Sequence, residues 1–283
     1  MDTVFSSPLP LGFLGPTSGL VFLVLAGCAL LEGAVWSYRT PGSYDWRAST
    51  ASLADALIRR GLDLALSLSL TTHLFLLAHQ YRLQSIEMSG FWAFVLLFVG
   101  QEFCYYWFHR ASHRTRWFWA SHLVHHSPNQ LSLATAMRLG WTGKLAGTGL
   151  FFTPLVWIGF PIQAVAAAIA LNLLYQFWIH APWIPKLGPL EWVLNTPTHH
   201  KVHHGSNPEY LDANYGGVLI IFDRLFGSFC EHREDIPIRY GLTEPLYSHN
   251  PIYIALHGWV ELWKAQQPIR GTGAKLRFLL SPP

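Results

Sequence analysis

Charge is what this sequence has least of. Asp, Glu, Lys and Arg make up 12% of its 283 residues, about half of the ~25% usual in soluble domains. So few charges cannot coat a water-soluble domain of this length. Cysteine is also sparse. Cys28, Cys104 and Cys230 are scattered and form no CxxC pair, which excludes a zinc ribbon, a four-cysteine iron–sulfur site and a disulfide framework. Neither GxGxxG nor GxxxxGK[ST] occurs, so no nucleotide fingerprint is present. A net charge of +3 is too small to argue for a nucleic-acid partner. The segment Met1–Pro16 has no basic start, and no small-residue cleavage site follows the first apolar run. That run is expected to be a retained anchor rather than a signal peptide.

What the chain has in excess is apolar and aromatic surface. Hydrophobic residues reach 51%, with 13 Trp and 11 Tyr, side chains that favour a membrane–water interface. Apolar runs near the roughly 20 residues that cross a bilayer core cover Ser18–Trp36, Gly61–Ala78 and Gly90–Phe108. A longer one, Leu145–Ile179, is free of charge and broken by Pro154 and by Gly159-Phe160-Pro161. It reads as a helical hairpin turning near Gly159. The fold class expected is therefore all-α integral membrane: about three transmembrane helices plus a helical hairpin. The positive-inside rule sets the orientation. Arg39, Arg47, Arg59 and Arg60 follow the first run, Arg82 stands alone after the second, and Arg110, Arg114, Arg116, Arg138 and Lys144 follow the third. This places the N-terminus outside and the polar segments 109–144 and 180–283 on the cytoplasmic face, as a helical cap. No repeat or linker divides the chain, so residues 1–283 are expected to form one membrane domain.

The second excess is histidine, 15 residues against 16 Asp plus Glu. Ten fall between positions 109 and 204. His109 and His113 form HRASH. His122, His125 and His126 form HLVHH. His180 ends QFWIH, and His199, His200, His203 and His204 form HHKVHH. Residues three and four apart share a helix face, so each cluster is expected to act as a claw of imidazoles at the cytosolic end of the spans. Packing does not select a titratable ring in such numbers; metal binding does. Nine or ten imidazoles exceed the needs of one ion, so two are expected. Arg110 follows His109 where a zinc protease would carry its general-base glutamate. Imidazole alone leaves iron and zinc both open. His73, His79, His232, His249 and His257 join no cluster and are expected to be structural or surface residues.

The set HRASH, HLVHH and HHKVHH resembles the histidine signature of the fatty acid hydroxylase/sterol desaturase superfamily of membrane-bound di-iron oxygenases. The likeness extends to Glu102–Arg110 (EFCYYWFHR), to Thr196–Gly205 (TPTHHKVHHG) and on through Asn207-Pro208, Leu211–Gly217 (LDANYGG) and Asp223–Gly227 (DRLFG). It covers about residues 92–240. The resemblance implies a catalytic centre of two iron ions held by His109, His113, His122, His125, His126, His180, His200, His203 and His204, with His199 as a tenth ligand or a neighbour of the ligands. It implies O2 as co-substrate and a lipid C–H bond as the target, with hydroxylation or, as the alternative, desaturation. The stretch Ser127–Arg138 is similar in part to the alkylglycerol monooxygenase branch, which favours hydroxylation. Some members carry histidine where Gln176 stands, and many carry Asp where Glu102 stands. Glu102, Asp212, Asn214 and Asp223 are candidates to hydrogen-bond the ligating rings. With no heme, flavin or iron–sulfur signature in the chain, an external electron donor is expected: a reductase, a ferredoxin, a b-type cytochrome or a pterin. A non-catalytic metal-binding or transport protein is the competing class; it would place its ligands along the spans.

Overall fold

In the computed structural model, which describes residues 16–65 and 70–283, the described chain is helical, with no β-strand among the described residues. It divides into two compact units, residues 1–44 and 45–283. The first is built on α1 (Pro16–Arg39). A proline costs nothing in a first helical turn, where its missing N–H would be unpaired anyway. The 24 residues span about 36 Å at 1.5 Å each. Leu20, Leu23, Val24 and Leu31 are exposed, as on a helix whose surroundings are lipid rather than water.

The apolar half of the second unit is a pair of helical hairpins. In one, α3 (Leu70–Gln80) runs into a loop and α4 (Phe91–Arg114) returns. In the other, a 3-10 turn (Thr148–Phe151) and α7 (Thr153–Ile158) lead to a turn, from which α8 (Ile162–Ile179) returns. Both returning arms are long. Phe75 and Ala78 of α3, Leu97 and Tyr105 of α4, Phe152 and Leu155 of the descending arm of the second hairpin and Val165 of α8 share one buried core. The two turns at the far end are stitched together: Leu83 N–H donates to Trp157 O (2.8 Å) and Ile86 N–H to Gly159 O (3.0 Å). Gly159 is required here. Its φ is 131°, and a Cβ would lie 2.4 Å from Gln84 O, so no L side chain fits either the backbone or the space.

The polar half holds α2 (Trp46–Ala65), α5 (Arg116–His126), α6 (Leu133–Met137), α9 (Pro197–His203), α10 (Ile221–Phe226), α11 (Pro251–Gln266) and α12 (Thr272–Leu280). A second core, Ala51, Leu123, Val124 and Ile254, joins α2, α5 and α11. Only the extended residue Thr115 separates α4 from α5, which sharply redirects the chain and folds HLVHH back beside HRASH.

Three described helices are long and apolar enough to cross a membrane: Gly19–Arg39 of α1, α4 and α8. The hairpin expected over 145–179 is present and turns at Gly159. The expected span 61–78 includes residues 66–69, which lie outside the described residues; its described parts fall in α2 before them and α3 after them. The 18 residues of α8, the returning arm of the expected hairpin, make the third long helix among the described residues.

Candidate metal centre

The redirection at Thr115, the end of α8 and the short helix α9 bring nine histidines together in two groups. His109, His113, His122, His126 and His203 form one; His125, His180, His200 and His204 form the other. Within each group the ligand nitrogens lie within 4.8 Å of one another. All nine are buried except His122, which is half-buried. The groups do not follow the sequence clusters. HLVHH gives His122 and His126 to the first group and His125 to the second; HHKVHH gives His203 to the first and His200 and His204 to the second. Neighbouring residues on a helix point about 100° apart, so α5 and α9 lie between the groups and serve both. HLVHH and HHKVHH are thus each divided between the two groups rather than kept whole. His199 stands in neither group; its ring packs against Phe229, with centroids 5.4 Å apart. His109 and His113 sit on the last turns of α4, which runs past the expected end at Phe108 to Arg114.

The partners of the rings fix their chemistry. His109 Nδ1 donates to Tyr215 O (2.8 Å), His203 Nδ1 to Ala213 O (2.9 Å), His125 Nδ1 to Arg138 O (3.0 Å) and His180 Nδ1 to Gln176 O (2.7 Å). A carbonyl only accepts, so each of these Nδ1 atoms carries the proton, and in a neutral ring Nε2 is then a bare lone pair. Yet His125 Nε2 and His180 Nε2 lie 3.2 Å apart. Neither can donate to the other. His109 Nε2 faces His122 Nε2 at 3.0 Å, and His200 Nε2 faces both His180 Nε2 (3.0 Å) and His204 Nε2 (3.1 Å); His200 has one Nε2 proton at most and cannot satisfy both. His113, His126 and His203 have buried Nε2 atoms with no hydrogen-bond partner. Converging lone pairs repel unless a cation sits among them, and an all-imidazole donor set suits a transition metal. The residues present fit a metal in each group.

Electrostatics point the same way. Burial pushes His122, His126, His180, His200 and His204 well below the ordinary histidine range. It takes His125 down to about 4 and His203 to about 3. The rings are therefore neutral near pH 7, the form that ligates.

The acceptors of these four rings are backbone carbonyls, and of the carboxylates the sequence suggested Asp212 lies nearest a ring, its Oδ1 3.8 Å from His113 Nδ1. Asn214 and Asp223 act one step further out. Asp212 and Asn214 adopt left-handed φ of 60° and 58°, rare outside glycine but tolerated by Asp and Asn. This folds the loop so that the carbonyls of residues 213 and 215 face the rings. Asp223 clamps it, accepting from Tyr215 N–H (2.7 Å), Gly216 N–H (2.7 Å) and Ser228 Oγ (2.7 Å). Asp212 itself pairs with Arg114 at 2.6 Å. Glu102 accepts from the N–H groups of Val218 and Leu219 (both 2.8 Å) and from Asn172, which also accepts from Gln176. Gln176 takes a bond from Tyr105 OH (2.7 Å), so its side chain ties α8 to α4 rather than pointing at the histidines. Arg138 is a support no motif announced. Buried to 2% exposure, it donates to Ser52 Oγ, Ser127 Oγ and Ala48 O, and this fixes its own carbonyl on His125.

Comparison with known proteins agrees with this chemistry. Residues 94–228 match the family described as fatty acid hydroxylase. The chain is 41% identical over 205 residues to alkylglycerol monooxygenase of Xenopus tropicalis, covering 72% of this chain and 45% of that protein. It is 38% identical over 244 residues to alkylglycerol monooxygenase of Homo sapiens, covering 86% and 52%. Ornithine lipid hydroxylase OlsE of Rhizobium tropici is 30% identical over 135 residues, covering 48% and 41%. The chain thus spans about half the length of the curated relatives it matches. No solved structure matches it.

Proposed function

The chain belongs to the fatty acid hydroxylase superfamily, and from that premise we propose that it is a membrane-bound, O2-dependent lipid hydroxylase with one iron ion in each histidine group. The single observation that carries this reading is the pair of imidazole groups whose Nε2 lone pairs converge. The named activities of the relatives support a lipid substrate, and the 38–41% identity to alkylglycerol monooxygenases favours an ether lipid oxidised beside its ether oxygen. When bound, iron supplies the O2-activating redox chemistry that insertion into an unactivated C–H bond needs.

The chain's own residues do the rest. Nine neutral rings hold the metals, and the carbonyls of Gln176, Arg138, Ala213 and Tyr215 fix the tautomers of four of them, His180, His125, His203 and His109. Tyr105, whose ring centroid lies 5.4 Å from that of His109, caps the apolar core of the hairpins and keeps water from the site on that side. The lipid approaches from the bilayer around the long arms, and positive-inside charge supports a cytoplasmic position for the histidines. Hydroxylation consumes O2, two electrons and two protons per hydroxyl and releases one water. The electrons come from an external donor: a reductase, a ferredoxin, a b-type cytochrome or a pterin. The whole of residues 1–283 is assigned to one membrane catalytic protein.

The test is metal analysis of the purified protein joined to product analysis with ether lipids, acyl lipids and sterols. Iron in both groups and an O2-dependent hydroxylated ether lipid are expected. Zinc in place of iron with no O2-dependent product overturns the reading, and solely desaturated products overturn the hydroxylase assignment.

A further inference from the structure

Helix α11 has three faces rather than two. Ile254, Ala255, Gly258 and Leu262 are buried, and at about 100° per residue they lie on one side. They pack on α5, closely enough that a Cβ on Gly258 would lie 2.4 Å from Ala120 O. His257, Glu261 and Lys264 form a polar face, with Glu261 and Lys264 paired at 2.8 Å. The remaining sector carries Ile252, Leu256, Val260 and Trp263, exposed by 57, 42, 46 and 60%. A water-facing helix does not keep an unbroken apolar stripe of this length.

The stripe's neighbours indicate what covers it. Trp259 Nε1 donates to Thr142 Oγ1 at 2.7 Å, its ring meets that of Trp117 at 4.9 Å, and Trp117 Nε1 donates to Ala146 O at 2.9 Å. Residues 142–146 lead directly into the second hairpin, where Leu145 and Leu150 are exposed too. The apolar stripe of α11 is therefore continuous with the lipid-facing surface of the hairpins, at the level where they emerge. Arg270 and Arg277, just beyond the helix in sequence, are exposed.

We propose that α11 is an interfacial helix whose Ile252–Leu256–Val260–Trp263 stripe lies in the headgroup–acyl boundary of the leaflet into which the hairpins open, as a three-faced amphipathic helix does. Because its opposite face carries α5, the bilayer surface becomes part of the support for His122, His125 and His126. This seat does not depend on the chemistry assigned to the metals.

The experiment uses the full chain in lipid nanodiscs, with Cys28→Ser and Cys230→Ser and with Cys104 left in place because it is buried. A nitroxide is attached at Leu256→Cys or, in a second variant, at Glu261→Cys, both exposed positions about 140° apart around the helix. Power-saturation measurements compare collisions with O2, which concentrates in lipid, and with a nickel chelate, which stays in water. The label at 256 is expected to favour O2 and the label at 261 to favour nickel. Nickel access at 256 matching that at 261 overturns the proposal, because the stripe then faces water. Shielding of 256 from both reagents also overturns it, because a protein, either a second copy or another chain, then covers the face.

Discussion

The two histidine groups gather the same kind of donor on different supports. The five-residue group depends on one loop: His109 and His203 both donate to carbonyls of residues 213–215, and a single carboxylate, Asp223, holds that loop in shape. The four-residue group is held from two separate places, the last turn of α8 through Gln176 O and the buried Arg138 through its carbonyl. One group thus has a concentrated support and the other a distributed one. A single change should disable the first far more selectively than the second.

The largest effects come from the ligands. His203→Ala should empty the five-residue group and His180→Ala the four-residue group, each lowering metal content by about one ion per chain and abolishing turnover. Elemental analysis with a product assay checks both. If either variant lost all metal, the groups would be one coupled site and the comparison would fail. Next comes the clamp. Asp223→Ala releases Tyr215 and Gly216 and should weaken metal retention in the five-residue group by roughly 10–100-fold, the range for a partner of a ligating histidine, while sparing the other. Chelator-competition curves resolve the two populations, and an equal loss from both would refute a private support. Arg138→Met removes three buried donor bonds and should cost about 2–4 kcal/mol of stability, read by thermal unfolding, with metal loss confined to the four-residue group. The smallest effect belongs to Arg114→Ala. Its ion pair with Asp212 is half exposed and should be worth under about 1 kcal/mol, leaving metal content unchanged.

The sequence made the type and number of the ring nitrogens legible, because i, i+3 and i+4 spacing on a helix is a local property. It did not make their division legible. Which of His125 and His126 serves which group depends on where α5 lies between α4 and α9, and spacing carries no record of that. The orienting acceptors were missed for a sharper reason: a backbone carbonyl has no residue type, so Ala213 and Tyr215 look ordinary. Asp223 was noticed, but its role runs through the main chain. The paired left-handed residues Asp212 and Asn214, inside LDANYGG, were the one available signal of a tight, shaped loop. His199 shows the converse. It shares the spacing of a ligand, yet its ring turns to Phe229. The apolar runs gave helices, but not how the helices pair into hairpins joined at their turns.

The stitched turns at the far end of the hairpins bear on how the two groups keep their spacing. Each long arm carries a histidine of a different group at its other end, His109 on α4 and His180 after α8. If the arms slid past one another, the spacing between the two groups would change. The bonds from Leu83 to Trp157 and from Ile86 to Gly159 join the arms at their base, as the handle joins the tines of a tuning fork. Joined there, the arms resist sliding along one another, and the two groups of rings at the tips are held in register.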